Sequence, residues 1–254
     1  MSENNILKIL TYNIHKGFST TSSRFVLHPI KEAIHEINPH IVFLQEIQGE
    51  HTSHEITVKT WPKQSQFEFL GEQLWPYFAY GKNAIYEVGH HGNAILSKFP
   101  FISWENIDVS LHEHASRSVL HGVLEIPGFN IPIHAICIHF GLFKIEREKQ
   151  LDILCKRIET HVPTGEPLIL AGDFNDWQSH AKHFLETHLN LREAFKVLTG
   201  KYARSFPVWS PALQVDRIYF RGIEVLNCQR FTKLPWRRLS DHAPLYAEFD
   251  LQRS

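Results

Sequence analysis

The chain has 254 residues, of which 43% are hydrophobic, and this composition excludes an intrinsically disordered protein. Its 26 Lys and Arg residues nearly balance its 27 Asp and Glu residues. The resulting formal charge of −1 excludes the strong overall positive charge that drives non-specific binding to nucleic acids. The length is within what one hydrophobic core supports, so we expect a single domain over residues 1–254.

Short apolar runs bounded by turn residues predict the strands, and amphipathic segments between them predict two helices. In chain order, strands are expected at residues 6–10, 41–44, 93–96, 131–140, 167–171, 214–220, 222–226 and 243–249. Helical spacing follows Pro29 at Ile30, Ala33, Ile34 and Ile37, and recurs at Leu151, Leu154, Cys155 and Ile158. This order of elements predicts a layered α/β domain.

The cysteines and the N-terminal segment bear on the compartment. Cys137, Cys155 and Cys228 are widely spaced without a CxxC pair, which argues against a disulfide framework or a thiolate zinc site. The sequence MSENNILKIL lacks the basic and apolar parts of a secretory signal, and no stretch is apolar enough to span a membrane. We therefore expect a cytoplasmic protein without an integral membrane segment, and a monomer.

Polar side chains follow several of the predicted strands. Asn13 and Glu46 end the first two apolar runs, and Asp173 and Asn175 follow the run at 167–171. Ligands of α/β sheets bind beyond the carboxyl ends of the strands, and an oxygen-rich rim suits a hard cation such as Mg²⁺ or Mn²⁺. The alternative is that each is an ordinary turn residue, but their recurrence favours a shared site.

A second candidate group lies near the C-terminus. His242 in SDHAPLYAEF precedes a predicted strand, and a histidine there can act as a general base. Asp216, at an apolar-flanked strand start, needs a buried partner, which is either His242 or Arg217. His139 ends another predicted strand, where an imidazole is either catalytic or a core residue.

Four further features offer substrate contacts, each with an ordinary structural alternative. Arg117 is either a phosphate ligand or a solvated surface residue. The cations Arg230, Lys233, Arg237 and Arg238 around Trp236 form either an anion-binding patch or a solvated loop. Phe206 and Trp209 form either an apolar wall for substrate or part of the core. His90 and His91 point to opposite strand faces, so we assign them no catalytic role, although one of them is a candidate to line the cleft beside Asn93.

The motifs TYNIHKG, LQEI, HHGNAILSKFP, IHFGL, AGDFNDW, VDRIY and SDHAPL occur in this order. The series resembles that of the endonuclease/exonuclease/phosphatase, or DNase I-like, superfamily over residues 11–245. It is most similar to an uncharacterised bacterial branch, the YbhP-like proteins, through NIHKGF, FAYGKNAIY, GHHGNAILS and AGDFNDW. The branch does not define a substrate.

The resemblance implies a four-layer α/β/β/α sandwich, with two mostly antiparallel central sheets and the site at one rim. It also implies that Glu46 is the main Mg²⁺ ligand, with contacts from Asn13, Asp173, Asn175 and Asp241. By the same similarity, His242 paired with Asp216 handles a proton, and His139 and Asn175 bind the scissile phosphate. Whether Asp173 or His242 activates the water stays open. Asn13, Arg117, Asn93 and Trp209 are the candidate substrate-binding residues.

These features lead to three functional hypotheses. The first is a metal-dependent phosphodiesterase or phosphatase acting on a nucleotide, a lipid headgroup or another small phosphoester, by in-line attack of an activated water. The second is a Mg²⁺-dependent endo- or exonuclease that holds DNA or RNA with the patch around Trp236. The third is an inactive metal-binding scaffold, which the presence of all the acidic and histidine motif residues disfavours.

Overall fold

The computed structural model describes residues 5–21, 24–111 and 116–252. Its centre is a pair of six-stranded sheets. The first sheet contains β1 (Ile6–Asn13), β2 (Ile41–His51), β3 (Tyr77–Tyr86), β4 (Gly89–Ser97), β11 (Glu224–Arg230) and β12 (Leu245–Asp250), in the order β11-β12-β1-β2-β4-β3. The second contains β5 (Phe101–Asp108), β6 (Ser118–Leu124), β7 (Ile133–His139), β8 (Leu168–Asp173), β9 (Arg192–Glu193) and β10 (Asp216–Arg221), in the order β5-β6-β7-β8-β10-β9.

Each sheet has one parallel strand pair, and its other pairs are antiparallel. The parallel pairs are β1 with β2 and β7 with β8. In both cases a helix-containing segment connects the two strands, as parallel neighbours require. The expectation of two mostly antiparallel sheets is therefore confirmed.

Alternating side chains sort the apolar residues into three buried layers. Ile9, Phe43 and Ile169 belong to the core between the two sheets. Leu10 and Val42, their neighbours on β1 and on β2, face the other way and pack beneath α1 (Leu27–Ile37) and α3 (Gln66–Gly71). Leu170 likewise faces α4 (Lys144–His161). The two outer helical layers and the two sheets form the expected four-layer sandwich.

Two smaller α-helices are α2 (Thr52–Thr57) and α5 (Ala194–Thr199). The described residues also form 3₁₀ helices at His15–Gly17 and Trp236–Arg238 and a π-helix at His183–His188. Within residues 5–21, 24–111 and 116–252, no helix is both long and apolar enough to cross a membrane. All three cysteines are free, as their spacing indicated.

The eight predicted strands and the two predicted helices are present, but four strands escaped prediction. These are β3, β5, β6 and the two-residue β9. β3 is an edge strand of the first sheet and β5 is an edge strand of the second. Many of their side chains on both faces are exposed, so their sequences lack a sustained apolar run. In β6, the polar His121 and then Gly122 interrupt an otherwise apolar segment.

Candidate active site

A cavity of about 230 Å³ opens at one rim of the sandwich, where strands from both sheets end. Six polar residues line it: Glu46, Arg117, His139, Asp173, Asn175 and His242. Its remaining wall is apolar and consists of Leu142, Trp177, Phe206, Leu213 and Val215. Residues separated by almost 200 positions in sequence therefore meet in one small volume.

Strand register places three of the predicted catalytic residues side by side. Asp173, at the end of β8, is the direct partner of His139 on β7 and of Asp216 on β10. Directly paired residues point to the same face of a sheet, so these three side chains converge. The alignment requires Gly172, because a Cβ at that position would lie 2.1 Å from the Ile138 carbonyl oxygen.

The Asp173 carboxylate is the centre of this arrangement and is buried. Its Oδ1 accepts a hydrogen bond from the Asn175 backbone N–H at 2.9 Å, and its Oδ2 accepts one from Asn13 Nδ2 at 3.2 Å. His139 Nε2 and His242 Nε2 lie 3.5 Å and 3.8 Å from the same Oδ2. Burial raises the pKa of Asp173, and the charge of His242 opposes this shift.

Asp216 takes His242 as its partner. His242 Nδ1 lies 2.8 Å from Asp216 Oδ2, which leaves Nε2 directed towards Asp173. Burial lowers the pKa of His242, but the carboxylates of Asp216 and Asp173 more than offset this effect and raise it. The ring therefore holds a proton between two carboxylates.

The alternative partner, Arg217, lies on the other face of β10. It is fully buried, and its Nη1 lies 3.3 Å from Asp176 Oδ2. Asp176 also accepts hydrogen bonds from the backbone N–H groups of His180 and Ala181. This ion pair holds in place the loop that follows Asp173 and that contains Asn175.

His139 and Asn175 supply donors at the same rim. Burial, followed by the positive charges of Arg117 and His242, holds the pKa of His139 well below its ordinary value, so its ring is neutral. Asn175 adopts a left-handed backbone conformation with φ of 48°, and its Nδ2 donates one hydrogen bond to the Phe140 carbonyl at 2.9 Å. Because a carboxamide nitrogen carries two hydrogens, one remains for a ligand.

Glu46 does not end its strand, contrary to the sequence prediction. β2 continues to His51, and a bulge between Leu44 and Ile47 places Glu46 at a left-handed φ of 54°. This conformation is costly for a glutamate, and the bulge turns its side chain to the cavity. Among the hydrogen bonds and ion pairs of the described residues, none involves the Glu46 carboxylate, which lines the cavity together with the Arg117 side chain.

Asp241 and Asn13 are both bonded to a residue that sequence reasoning missed, His15, which also feels the charge of Glu46. His15 Nδ1 lies 3.3 Å from Asp241 Oδ1, and the hydrogen bond to Asp241 raises the pKa of His15. Burial raises the pKa of Asp241, but the same hydrogen bond more than offsets it and lowers the value. The Asn13 Oδ1 accepts the His15 backbone N–H. The sequence signal was the position of His15 two residues after Asn13 in TYNIHKG.

Within the part of the chain that the structure describes, one group of carboxylate and histidine side chains has ligand atoms within 4.8 Å of one another: Asp173, Asp216 and His242. The hydrogen bond between Asp216 Oδ2 and His242 Nδ1 occupies one ligand atom of each residue, so this group is not an open ligand set. Glu46 and Asp241 do not belong to it. Glu46 and Asp173 line the same cavity, Asn13 bonds Asp173, and Asp241 bonds His15. Carboxylate and carboxamide oxygens of this kind suit Mg²⁺ or Mn²⁺ chemically.

Arg117 and Asn93 have different positions relative to the cavity. Arg117 lines it, and its Nε is buried without a hydrogen-bond partner. Asn93 is buried and does not line the cavity; its Nδ2 donates to the Ser118 carbonyl at 3.1 Å and so ties β4 to β6 beside Arg117. Of the two adjacent histidines, His90 contacts the Tyr80 hydroxyl at 2.8 Å. His91 shares the inner face of β4 with Asn93.

Two tryptophan assignments are corrected. Trp209 is 47% exposed, so it is not a core residue, and it lies outside the catalytic cavity in a separate groove of about 790 Å³ with Arg24, Arg237 and Arg238. Trp236 is buried against Tyr12, with ring centres 5.5 Å apart, and cannot stack on a nucleic-acid base.

Two aromatic residues do line the cavity. Phe206 lies with its ring centre 4.9 Å from that of His242. Trp177 was not predicted as a site residue, although it ends the AGDFNDW motif.

The comparisons with known proteins agree with this geometry. The model of the endonuclease/exonuclease/phosphatase family matches residues 10–242. The uncharacterised protein YbhP of Escherichia coli strain K12 is 43% identical over 244 residues, which are 96% of each sequence.

Two solved structures illustrate the fold. The human Nocturnin catalytic domain with bound sulfate has a TM-score of 0.75 at 20% identity, covering 98% of this chain and 94% of that one. Danio rerio TDP2 in complex with a single-stranded DNA product has a TM-score of 0.70 at 18% identity, covering 96% of this chain and 99% of that one.

Proposed function

Because the chain belongs to the endonuclease/exonuclease/phosphatase family, we propose that it is a divalent-metal-dependent hydrolase of phosphoesters. The observation that carries this proposal is the convergence of His139, Asp173, Asp216 and His242 around one buried carboxylate at the cavity. Two imidazole nitrogens lie within 3.8 Å of the Asp173 carboxylate, and Asp216 is hydrogen-bonded to one of these two rings. This arrangement beside the cavity suits proton transfer during water attack on phosphorus.

Glu46, with Asn13, Asp173 and Asp241 close by, would hold the cation. A bound Mg²⁺ or Mn²⁺ supplies Lewis-acid polarisation of a phosphoryl oxygen and neutralises developing charge. The left-handed backbone conformation of Glu46 is strained. Backbone strain of this kind occurs mainly at functional sites, which supports a role of Glu46 in binding the cation.

Three donors surround the space that a phosphoryl group would take. Arg117 offers a planar guanidinium, His139 offers a neutral ring N–H, and Asn175 offers its second amide hydrogen. Donors positioned before the reaction stabilise the charge that grows on the phosphoryl oxygens without reorganisation.

Asp173 and His242 share the proton transfer. Asp216 orients His242 through Nδ1, so that Nε2 is directed to the cavity side of Asp173. The raised pKa of the Asp173 carboxyl makes this carboxylate more basic than an exposed aspartate, as a group that takes a proton from water requires.

A nuclease is the second candidate, and one observation favours it. The groove beside Trp209 contains Arg24, Arg237 and Arg238, a combination of cations and an exposed aromatic residue that suits single-stranded nucleic acid. DNA binding that weakens steeply with salt would support this candidate, whereas salt-independent binding would contradict it.

The experiment measures hydrolysis of p-nitrophenyl phosphate, bis(p-nitrophenyl) phosphate, nucleotides, phospholipids and DNA with Mg²⁺, Mn²⁺ or EDTA. We expect His242→Ala to lower turnover by roughly 10²–10⁴-fold, as loss of an acid–base group does. Glu46→Gln should raise the cation concentration needed for half-maximal rate. His161→Ala and Glu32→Gln are matched controls, because both residues are exposed on outer helices.

Two outcomes would contradict the proposal. The first is equal turnover of His242→Ala and His161→Ala. The second is an absence of turnover on every substrate with either cation, which would favour the inactive metal-binding scaffold.

A further inference from the structure

The segment that follows His139 exposes large apolar side chains to solvent. Leu142 is 59% exposed, Phe143 72% and Ile145 69%. Among the residues that the structure describes, no other four-residue stretch contains three exposed large hydrophobic side chains. Isolated exposed apolar residues are common on protein surfaces, but a dense group of them indicates a binding surface.

This group is continuous with the catalytic cavity. Leu142 lines the cavity together with Trp177, which is 43% exposed, and Leu213, which is 36% exposed. Phe143 and Ile145 extend the same apolar surface outwards at the start of α4. We call these five residues the apolar rim. Three of them, Leu142, Trp177 and Leu213, also line the cavity.

The two cations of the segment that follows His139 both have partners within the protein. Lys144 Nζ lies 3.6 Å from Glu148 Oε1. Arg147 is buried, donates to the carbonyls of Gly141 and Leu142, and lies with its guanidinium carbon 5.0 Å from the centre of the Trp177 ring. Lys144 thus has a carboxylate beside it and Arg147 is turned inwards, so the outer part of the rim, Phe143 and Ile145, carries little free positive charge for a nucleic-acid backbone.

We propose that the apolar rim inserts into a zwitterionic lipid surface, so that the enzyme hydrolyses a phosphoester at the headgroup level of that surface. The inference rests on the proposed function and names its substrate class. Apolar side chains that enter the headgroup region would bring the cavity to the depth of the lipid phosphates. A dissolved nucleotide, by contrast, would leave Phe143 and Ile145 in water.

The test is flotation of the purified full chain with phosphatidylcholine vesicles, for wild type and for the double variant Phe143→Ser/Ile145→Ser. Neither residue lines the cavity. Phe143 is the N-cap of α4, where serine is a favoured residue, so the variant should fold. Ile102→Ser is the matched control, because Ile102 is 60% exposed and its strand end pairs with the far end of β6.

We expect wild type and Ile102→Ser to float equally and with little dependence on salt. The double variant should bind vesicles at least about tenfold less, because two large apolar side chains no longer enter the lipid. All three proteins should hydrolyse dissolved bis(p-nitrophenyl) phosphate at the same rate.

Absence of flotation by wild type, or equal flotation of all three proteins, would overturn the proposal. A loss of binding to a single-stranded DNA oligonucleotide, with flotation unchanged in the double variant, would also overturn it. Flotation without hydrolysis of either the dissolved ester or the vesicle lipid, with Mg²⁺ or Mn²⁺ present, supports the lipid surface and contradicts the proposed function. Hydrolysis without flotation contradicts the lipid surface alone.

Discussion

Replacing Arg217 with methionine tests whether a buried ion pair holds the catalytic loop in place. The Arg217 side chain is 0% exposed and that of Asp176 is 3% exposed. The guanidinium bonds the Asp176 carboxylate and backbone carbonyl, contacts the Tyr219 hydroxyl, and lies 4.5 Å from the centre of the Tyr202 ring. Methionine keeps much of the side-chain volume and removes the charge.

The expected cost follows from what remains buried. Asp176 would keep its bonds from the His180 and Ala181 backbone N–H groups, but its negative charge would have no cation. Removing one partner of such a pair costs about 3–5 kcal/mol of the free energy of unfolding. For a chain of this size, that corresponds to a fall of about 10 °C in Tm.

Urea unfolding followed by circular dichroism measures this change. Arg221→Met is the matched control, since Arg221 lies on the same strand and bonds only backbone carbonyls, those of Leu189, Val162 and Pro163. Its loss should cost about 1–2 kcal/mol.

Adding Asp176→Asn to Arg217→Met should recover part of the lost free energy of unfolding, because the unpaired negative charge of Asp176 would no longer be buried. Equal unfolding midpoints for the two methionine variants, or no recovery in the double variant, would refute the reasoning.

Two further changes probe the second sheet. Gly172→Ala should lower the free energy of unfolding by at least about 3 kcal/mol, because the new Cβ would lie 2.1 Å from the Ile138 carbonyl oxygen. Gly128→Ala should lower it by only about 1 kcal/mol, because the space around Gly128 is open. Thermal unfolding of both variants measures the difference. Burial, followed by the charge of His134, lowers the pKa of His121 to about 3. The unfolded chain binds this proton below about pH 6.5, so stability should be complete above that pH and fall by up to about 1.4 kcal/mol per unit as pH drops towards 3. Urea midpoints between pH 7 and 4 should fall less steeply for His121→Gln, and parallel curves would contradict this account.

The main strands and most of the site could be predicted from sequence because each depends on local chemistry. Apolar runs such as residues 167–171 are long enough to form buried strands wherever they lie in the fold. Asp173 at the end of that run follows directly from the strand boundary. The order of the motifs indicated the family, and the family resemblance in turn predicted the four-layer arrangement.

The partner of Asp216 shows what only tertiary structure decided. Sequence left His242 and Arg217 as alternatives, because both bear a positive charge when protonated. In the structure, pairing of β10 with β8 turns Asp216 towards the rim, and the next residue, Arg217, points to the opposite face. The choice depends on which face of the sheet meets the cavity, and no local pattern contains that information.

The tryptophans and Glu46 make the same point through burial and backbone conformation. Trp209 and Trp236 both have proline and cations nearby in sequence, yet Trp236, at the start of a 3₁₀ helix, is buried against Tyr12, whereas Trp209 lies exposed in a groove. Glu46 faces the cavity because β2 bulges against β4, a result of strand pairing. Local composition determines which segments form strands and which polar groups end them. Side-chain orientation and exposure depend on contacts between distant segments, so only the folded chain decides them.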